Sequence, residues 1–141
     1  MSRLTLAQAN TIVSVALKKA RKMKTKPLTV VVLDDAGHVK ALQREDGANM
    51  FRNDIAIGKA FASIGMGAAS RTLLQRAKDN PEFYGALAAV GHGKFVPQTG
   101  AVLIKDKDGT VLGAAGGSGG TGDEDEAVCI AGIEAAGLAW S

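Results

Sequence analysis

Lys59 is the first candidate for chemistry in this chain of 141 residues, because it is the only charged residue between Ile55 and Ala69. The segment around it is apolar on every side, as in a helix buried between layers. A buried ammonium without a partner costs several kcal/mol, so Lys59 must reach an acidic partner, a ligand or solvent. Two interpretations stay open: a lysine that extends to the surface, and an anchor for a carboxylate ligand.

Arg44 and Asp46 form a second candidate pair at the end of a predicted strand. They stand at i and i+2, so both side chains point to one side if the strand continues that far. Arg44 suits bidentate recognition of a carboxylate. A surface ion pair or a turn-stabilising role fits equally well. Asp34 follows an apolar strand, where it either organises a turn or supplies a proton-transfer group.

The residues that commonly bind metals are scarce. His38 and His92 are the only histidines, too few and too far apart to indicate a zinc site, although either imidazole could ligate iron. Cys129 is the only cysteine, which rules out an intramolecular disulfide and fits a cytoplasmic location. It lies among apolar residues, where an inert buried thiol is expected. We expect no metal site formed by the protein alone.

The composition predicts one globular domain over residues 1–141. Apolar residues make up 46% and charged residues 22% of the chain, close to ordinary globular usage. The net charge is +3, with six basic residues between Lys18 and Lys26. Positive charge suits the C-terminal turns of a helix, and no aromatic residues are interleaved, so we expect no nucleic-acid partner. We also expect no membrane association.

The pattern of elements predicts an α+β fold with the order α-ββ-α(α)-ββ-α. A capping box at Thr5–Gln8 starts the first helix, and each pair of strands is typical of an antiparallel hairpin. Such hairpins form an antiparallel sheet covered by helices. The predicted strands are 28–34, 38–44, 101–105 and 110–115, and the predicted helices follow at 54–69, 70–80, 81–90 and 123–140 after the first one.

The stretch GAAGGSGGTGDEDEA, residues 113–127, contains the pattern G-x-G-x-x-G. A dinucleotide site needs a parallel βαβ unit and an acid about 20 residues further on, yet only 19 residues follow Gly122. The four acids from Asp123 to Glu126 would also repel a pyrophosphate, whereas they suit the first turn of a helix. The glycines therefore form either a structural turn or a loop whose backbone approaches another ligand.

Two segments together resemble the GlcG/HbpS family of small heme-binding-type domains, which includes the C-terminal domain of PduO proteins. They are VVVLDDAGHVKALQREDGA and GGSGGTGDEDEAVCIAGI. The resemblance implies a profilin-like fold, with a five-stranded antiparallel sheet flanked by helices. It also implies a homo-oligomer, from dimer to octamer, with heme as the expected cofactor. The residues that match the family pattern are Asp34, Gly37, Arg44, Asp46, Gly47, Lys59, Ala60, Gly100, Ser118, Gly119, Asp125 and Glu126.

Two departures from the family pattern affect the expected pocket. Phe61-Ala62 stands where Thr-Ala is common, and Thr99-Gly100-Ala101-Val102 lacks the usual proline. Ligand identity therefore does not transfer directly. The expected ligand-binding residues are Lys59, Arg44, Gly100, Ser118, Gly119, Gly120, His92 and His38.

Three functions are compatible with these features. The first is binding of heme or a related tetrapyrrole through its carboxylates. The second is a small catabolic enzyme, a hydrolase, isomerase or lyase acting on a carboxylated metabolite, with Asp34, Asp46 or Glu126 moving a proton. The third is an oligomeric scaffold or regulatory protein.

Overall fold

The computed structural model describes residues 3–141, which form five helices and five strands. Along this part of the chain none of the helices combines the length and apolar character needed to cross a bilayer. The elements in chain order are α1 (Leu6–Met23), β1 (Thr29–Asp34), β2 (Val39–Arg44), α2 (Phe51–Met66), α3 (Ser70–Asp79), α4 (Pro81–Val90), β3 (Ala101–Lys105), β4 (Val111–Ser118), α5 (Gly122–Ala135) and β5 (Ala139–Trp140).

One antiparallel sheet with the order β2-β1-β4-β3-β5 lies at the centre, which confirms the predicted α+β class. Two hairpins, β1–β2 and β3–β4, meet where β1 pairs with β4. In that pairing Thr29 lies opposite Ser118, and Asp34 lies opposite Gly113. Because β1 and β4 are flanked on both sides, almost all of their residues are buried.

The sheet is covered on both faces, which explains why β1 is a continuous apolar run. Val30 and Val32 pack with α1 and α5 on one face. Val31 and Leu33 pack with α2 on the other. Successive strand residues point to opposite faces, so each alternate residue enters a different layer of the core.

The helix termini agree with the capping signals in the sequence. Thr5 and Gln8 form the predicted capping box of α1, and Thr121 and Glu124 form another at α5. The acids after Gly122 occupy the first turn of α5, as expected. The closing helix is shorter than predicted, however.

The closing helix ends at Ala135, whereas the sequence predicted that it continues to residue 140. Gly137 has φ +76°, a left-handed conformation that ends helices and favours glycine. The chain then turns back and β5 pairs with β3, with Trp140 opposite Ile104. This two-residue strand supplies the fifth strand implied by the family resemblance.

Some helical glycines allow a neighbouring element to pack closely against the helix, and others do not. A side chain at Gly132 on α5 would collide with the backbone oxygen of Ile12 on α1, so these helices pack at very short range. Gly58 likewise lies against Val96. At Gly65 and Gly67, by contrast, a Cβ would have no neighbour within 4 Å among residues 3–141, so neither glycine permits a close contact.

We predict opposite effects for alanine at two helical glycines. Gly132→Ala should lower the free energy of unfolding by about 1–3 kcal/mol, because the new methyl group overpacks the α1–α5 contact. Gly65→Ala should leave stability unchanged or raise it by up to about 1 kcal/mol through helix propensity. Urea denaturation of both variants measures the difference. Equal stabilities would contradict the close packing at Gly132.

Candidate functional site

Lys59 forms a buried ion pair with Asp125, which joins α2 to the first turn of α5. The Lys59 Nζ donates to Asp125 Oδ2 at 3.1 Å and to the carbonyl oxygen of Gly117 at 3.0 Å. Lys59 is 6% exposed and Asp125 only 1%. The other carboxylate oxygen, Asp125 Oδ1, accepts the N–H of Gly120 at 3.0 Å. Lys59 therefore reaches an acidic partner, not the surface.

Glycines make room for this ion pair. A Cβ at Gly100 would lie 2.7 Å from the Lys59 Nζ, and Gly100 has φ +143°. A Cβ at Gly117 would lie 3.2 Å from the carbonyl oxygen of Asp125. A side chain at either position would displace a partner of the pair. Gly100, and Gly117 within the Gly-rich stretch 113–127, thus have a packing role behind the ion pair.

Burial dominates the electrostatics of Asp125. Desolvation raises the pKa of its carboxyl above the usual value, although the ammonium of Lys59 and the N–H of Gly120 act in the opposite direction. Desolvation also raises the pKa of the neighbouring Cys129 thiol, which is fully buried. Cys129 therefore fits the expected inert thiol.

A cleft of about 520 Å³ opens beside this pair, between α2, α3, the segment before β3 and the start of α5. We call it the Arg52 cleft. Its volume lies in the range of small-molecule sites. Apolar side chains form one wall: Ile55, Leu74 and Val96. Polar groups form the remainder: Arg52, Lys59, Gln98, Thr99, Ser118, Gly120, Thr121, Gly122, Asp123 and Asp125.

Arg52 is the cation of this cleft that lacks an acidic partner. Its Nη1 donates to Ser118 Oγ at 3.1 Å, and within residues 3–141 no carboxylate forms a salt bridge with it. Arg52 and Lys59 are seven residues apart, two helical turns, so they share one face of α2 with Ile55 between them. The rise per residue separates their Cα atoms by about 10 Å along the helix.

The acids at the mouth of the cleft are paired with α3. Arg71 forms salt bridges with Asp123 and with Glu126, the latter at 3.2 Å. These bonds tie α3 to the start of α5 on either side of the cleft. Asp123 thus shares Arg71 with Glu126, Asp125 is paired with Lys59, and Arg52 is the cation of the lining that forms no salt bridge within residues 3–141.

The sequence of residues 4–134 matches the family model described as haem degrading protein HbpS-like. The chain belongs to the HbpS-like family. No curated protein matches it significantly.

Solved structures resemble this HbpS-like chain over nearly its whole length. A PduOC:heme complex has a TM-score of 0.86 at 24% identity, with 98% of each chain covered. A double mutant of Streptomyces reticuli HbpS has a TM-score of 0.82 at 27% identity, covering 95% of this chain and 87% of that one. Klebsiella pneumoniae ORFY has a TM-score of 0.85 at 23% identity, with 97% and 93% covered.

The predicted ligand-binding residues of this HbpS-like chain fall into two groups. Lys59, Ser118 and Gly120 line the Arg52 cleft. Gly100 lies just behind it, against the Lys59 Nζ. Gly119 packs on the backbone of residues 27–28 and lines a smaller neighbouring cavity instead.

Arg44 and Asp46 lie in a different surface cleft of about 450 Å³, near the end of α1. The Arg44 Nη1 donates to the carbonyl oxygen of Ala48 at 2.8 Å, a bond that holds the loop after β2. Arg21 pairs with Glu45 in the same cleft, at 2.9 Å. The structure therefore does not bring Arg44 together with Lys59.

The histidines and Asp34 also lie away from the Arg52 cleft. Asp34 Oδ1 accepts the N–H groups of Ala36 and His38, each at 3.0 Å, in the turn between β1 and β2. Desolvation tends to raise the pKa of Asp34, but these two hydrogen bonds and nearby positive charge hold it below its usual value. His38 and His92 are both exposed, and His92 has φ +53° in the loop after α4.

The donor set of the cleft fits part of a heme. Arg52 suits a propionate carboxylate, and the apolar wall suits a porphyrin ring. Histidine, cysteine, methionine and tyrosine, the common iron ligands, are missing from the lining as far as residues 3–141 form it. Clusters of three or more metal-binding side chains do not occur in this part of the chain either. The residues fit the carboxylates of heme but not its iron.

The sequence did not single out Arg52 as a site residue, although a signal was present. Arg52 and Lys59 share an i, i+7 spacing that places two cations on one face of a helix. Asp125 was expected to cap α5, and its second role as the partner of Lys59 depends on the tertiary approach of α2 and α5.

We predict that Lys59→Met lowers the free energy of unfolding by about 3–5 kcal/mol at neutral pH, because it leaves a buried carboxylate without its partner. Lys59→Met combined with Asp125→Leu should recover most of this loss. Urea denaturation measures both. An equal loss in the single and double variants would show that the pair itself contributes little.

We predict that the deficit of Lys59→Met shrinks as the pH falls. Without Lys59, burial leaves the pKa of Asp125 further above its unfolded value, so the folded state binds a proton more tightly than the unfolded state. The deficit is therefore full above the folded pKa and decreases as the pH falls through it. Denaturation at a series of pH values from about 7.5 to 4.5 tests this. The double variant lacks the carboxyl and is the control.

Proposed function

We propose that the chain binds a tetrapyrrole of the heme class in the Arg52 cleft and holds it through a carboxylate. The observation that carries the proposal is the half-buried guanidinium of Arg52, which lines the cleft and is hydrogen-bonded there only to the neutral Ser118 hydroxyl, among the residues described. Membership of the HbpS-like family supports this ligand class. The likeness to a PduOC:heme complex agrees with it.

The charges of the cleft favour one carboxylate at Arg52. Lys59 is paired with Asp125, and Asp123 shares Arg71 with Glu126. Arg52 remains as a forked donor that matches the geometry of a carboxylate. Ile55 and Leu74 then offer apolar contact to the body of the ligand. A propionate on a flat apolar ring has this combination of groups.

We predict that Arg52→Ala weakens the binding of hemin by about tenfold or more, because a hydrogen bond to a charged group contributes about 1.5–3 kcal/mol. Titration of the purified protein with hemin, followed by the Soret band, measures this. Arg44→Ala is the matched control, since it removes the same group from the other cleft. The absence of a saturable Soret shift would exclude heme itself as the ligand, and equal weakening in both variants would refute the placement of the carboxylate at Arg52.

We predict that replacing His38 and His92 together by alanine leaves the Soret maximum and the affinity for hemin unchanged. Both imidazoles are exposed and neither lines the Arg52 cleft. Absorption spectra of the oxidised and reduced complexes provide the readout. A displaced Soret band in the double variant would instead assign an axial ligand to one of these histidines, and the two single variants would identify it.

A further inference from the structure

We infer that the Arg52 cleft selects an open-chain, iron-free tetrapyrrole with a lactam carbonyl over the closed heme ring. This inference rests on the proposed function, which places a tetrapyrrole carboxylate at Arg52. It adds a second recognition point, the ammonium of Lys59. It also follows from the mismatch between the lining of the cleft and the iron of heme.

Lys59 has a hydrogen-bond donor left for the ligand. An ammonium carries three N–H donors. Two are used, by the carbonyl oxygen of Gly117 and by Asp125 Oδ2. For the third, residues 3–141 provide no acceptor, although Lys59 is only 6% exposed and lines the cleft. A ligand that displaces solvent from this end of the cleft must supply an acceptor for this N–H, because a donor left unpaired on binding is costly.

The oxygen at Lys59 should belong to a neutral group. Asp125 already supplies the negative charge that balances the ammonium. A second carboxylate at this point would lie close to the carboxylate of Asp125 and be repelled by it. A neutral carbonyl accepts the same hydrogen bond without that repulsion. Arg52, without an acidic partner in the described chain, recognises the ligand's carboxylate.

The spacing of the two cations defines the shape of the ligand. Arg52 and Lys59 lie two turns apart on α2, about 10 Å along the helix, with Ile55 between them. The ligand therefore carries a carboxylate and a neutral carbonyl at separate points of an apolar body. An open-chain tetrapyrrole has propionate carboxylates and terminal lactam carbonyls. A closed heme has the propionates only.

The missing iron ligands favour the same compound. Heme proteins hold iron with imidazole, thiolate, thioether or phenolate groups. None of these lines the cleft within the described part of the chain, whose polar groups are hydroxyls, an amide, carboxylates and two cations. An iron-free, open-chain tetrapyrrole requires no such group. Its polar oxygens match the donors that are present.

The test compares three tetrapyrroles on the wild-type protein: biliverdin, hemin and metal-free protoporphyrin IX. We expect biliverdin to bind about tenfold more tightly than either closed ring, as one hydrogen bond to a charged group predicts. Absorbance and fluorescence titrations give the three dissociation constants. In Arg52→Ala, all three should bind more weakly, because all carry propionates.

The Lys59 contact is tested by Lys59→Met/Asp125→Leu, which removes both charges and leaves neither one buried alone. This variant should lose about tenfold in affinity for biliverdin and stay within about twofold of wild type for protoporphyrin IX. Circular dichroism checks its fold. If this variant does not fold, the affinities of the three ligands for the wild-type protein decide whether the cleft prefers an open-chain tetrapyrrole.

The outcomes separate this inference from the proposed function. If hemin or protoporphyrin IX binds at least as tightly as biliverdin and Arg52→Ala weakens that binding, the preference for an open chain is wrong and the proposed function stands. Equal losses for biliverdin and protoporphyrin IX in the double variant would likewise overturn the role of Lys59. If none of the three binds saturably, the proposed function fails as well.

Discussion

The burial of one ammonium, that of Lys59, constrains the whole site. A charge in the interior needs a partner of opposite sign, and Asp125 at the first turn of α5 provides it. The pair requires α2 and the end of β4 to approach closely. Gly116 and Gly117 permit this, because a side chain at either position would contact the backbone of α2 or α5. This one contact joins α2, the end of β4 and the first turn of α5 beside the cleft.

The same contact distinguishes the two cations of the cleft by their partners. Lys59 is matched by Asp125, whereas Arg52, two turns earlier on the same helix, meets only a hydroxyl among the described residues. Two cations on one face of the same helix thus have different partners. In the proposed binding mode Lys59 offers a single N–H to a neutral acceptor, and Arg52 binds a carboxylate. The difference arises from the tertiary partner of each cation.

Much of the fold could be predicted from the sequence, because its signals are local. The capping box at Thr5, the acids in the first turn of α5 and the hairpin pattern of the strands each depend on neighbouring residues. The end of α5 was missed, since β5 forms through pairing with β3, which is distant in sequence. The pairing of Arg71 with Asp123 and Glu126 depends on tertiary packing in the same way.

The site was harder to predict than the fold. Two residues at the same end of the sheet do not necessarily line the same cleft. Arg44 and Ser118 lie at the ends of neighbouring pairs, with Thr29 opposite both of them. Arg44 nevertheless turns towards the loop after β2, while Ser118 faces α2. The direction of a long side chain decides which cleft it lines, and the sequence carries little information about that direction. Arg52 was overlooked although its spacing from Lys59 places both cations on one helix face.

Two glycines behind the cleft restrict how this site can diverge among related chains. Gly100 and Gly117 cannot accept a side chain without displacing the Lys59–Asp125 pair. Substitutions that change the ligand without disturbing this pair are therefore expected at lining side chains such as Ile55, Leu74 and Gln98. A family built on this fold would keep the ion pair constant and alter its chemistry through the side chains that line the cleft.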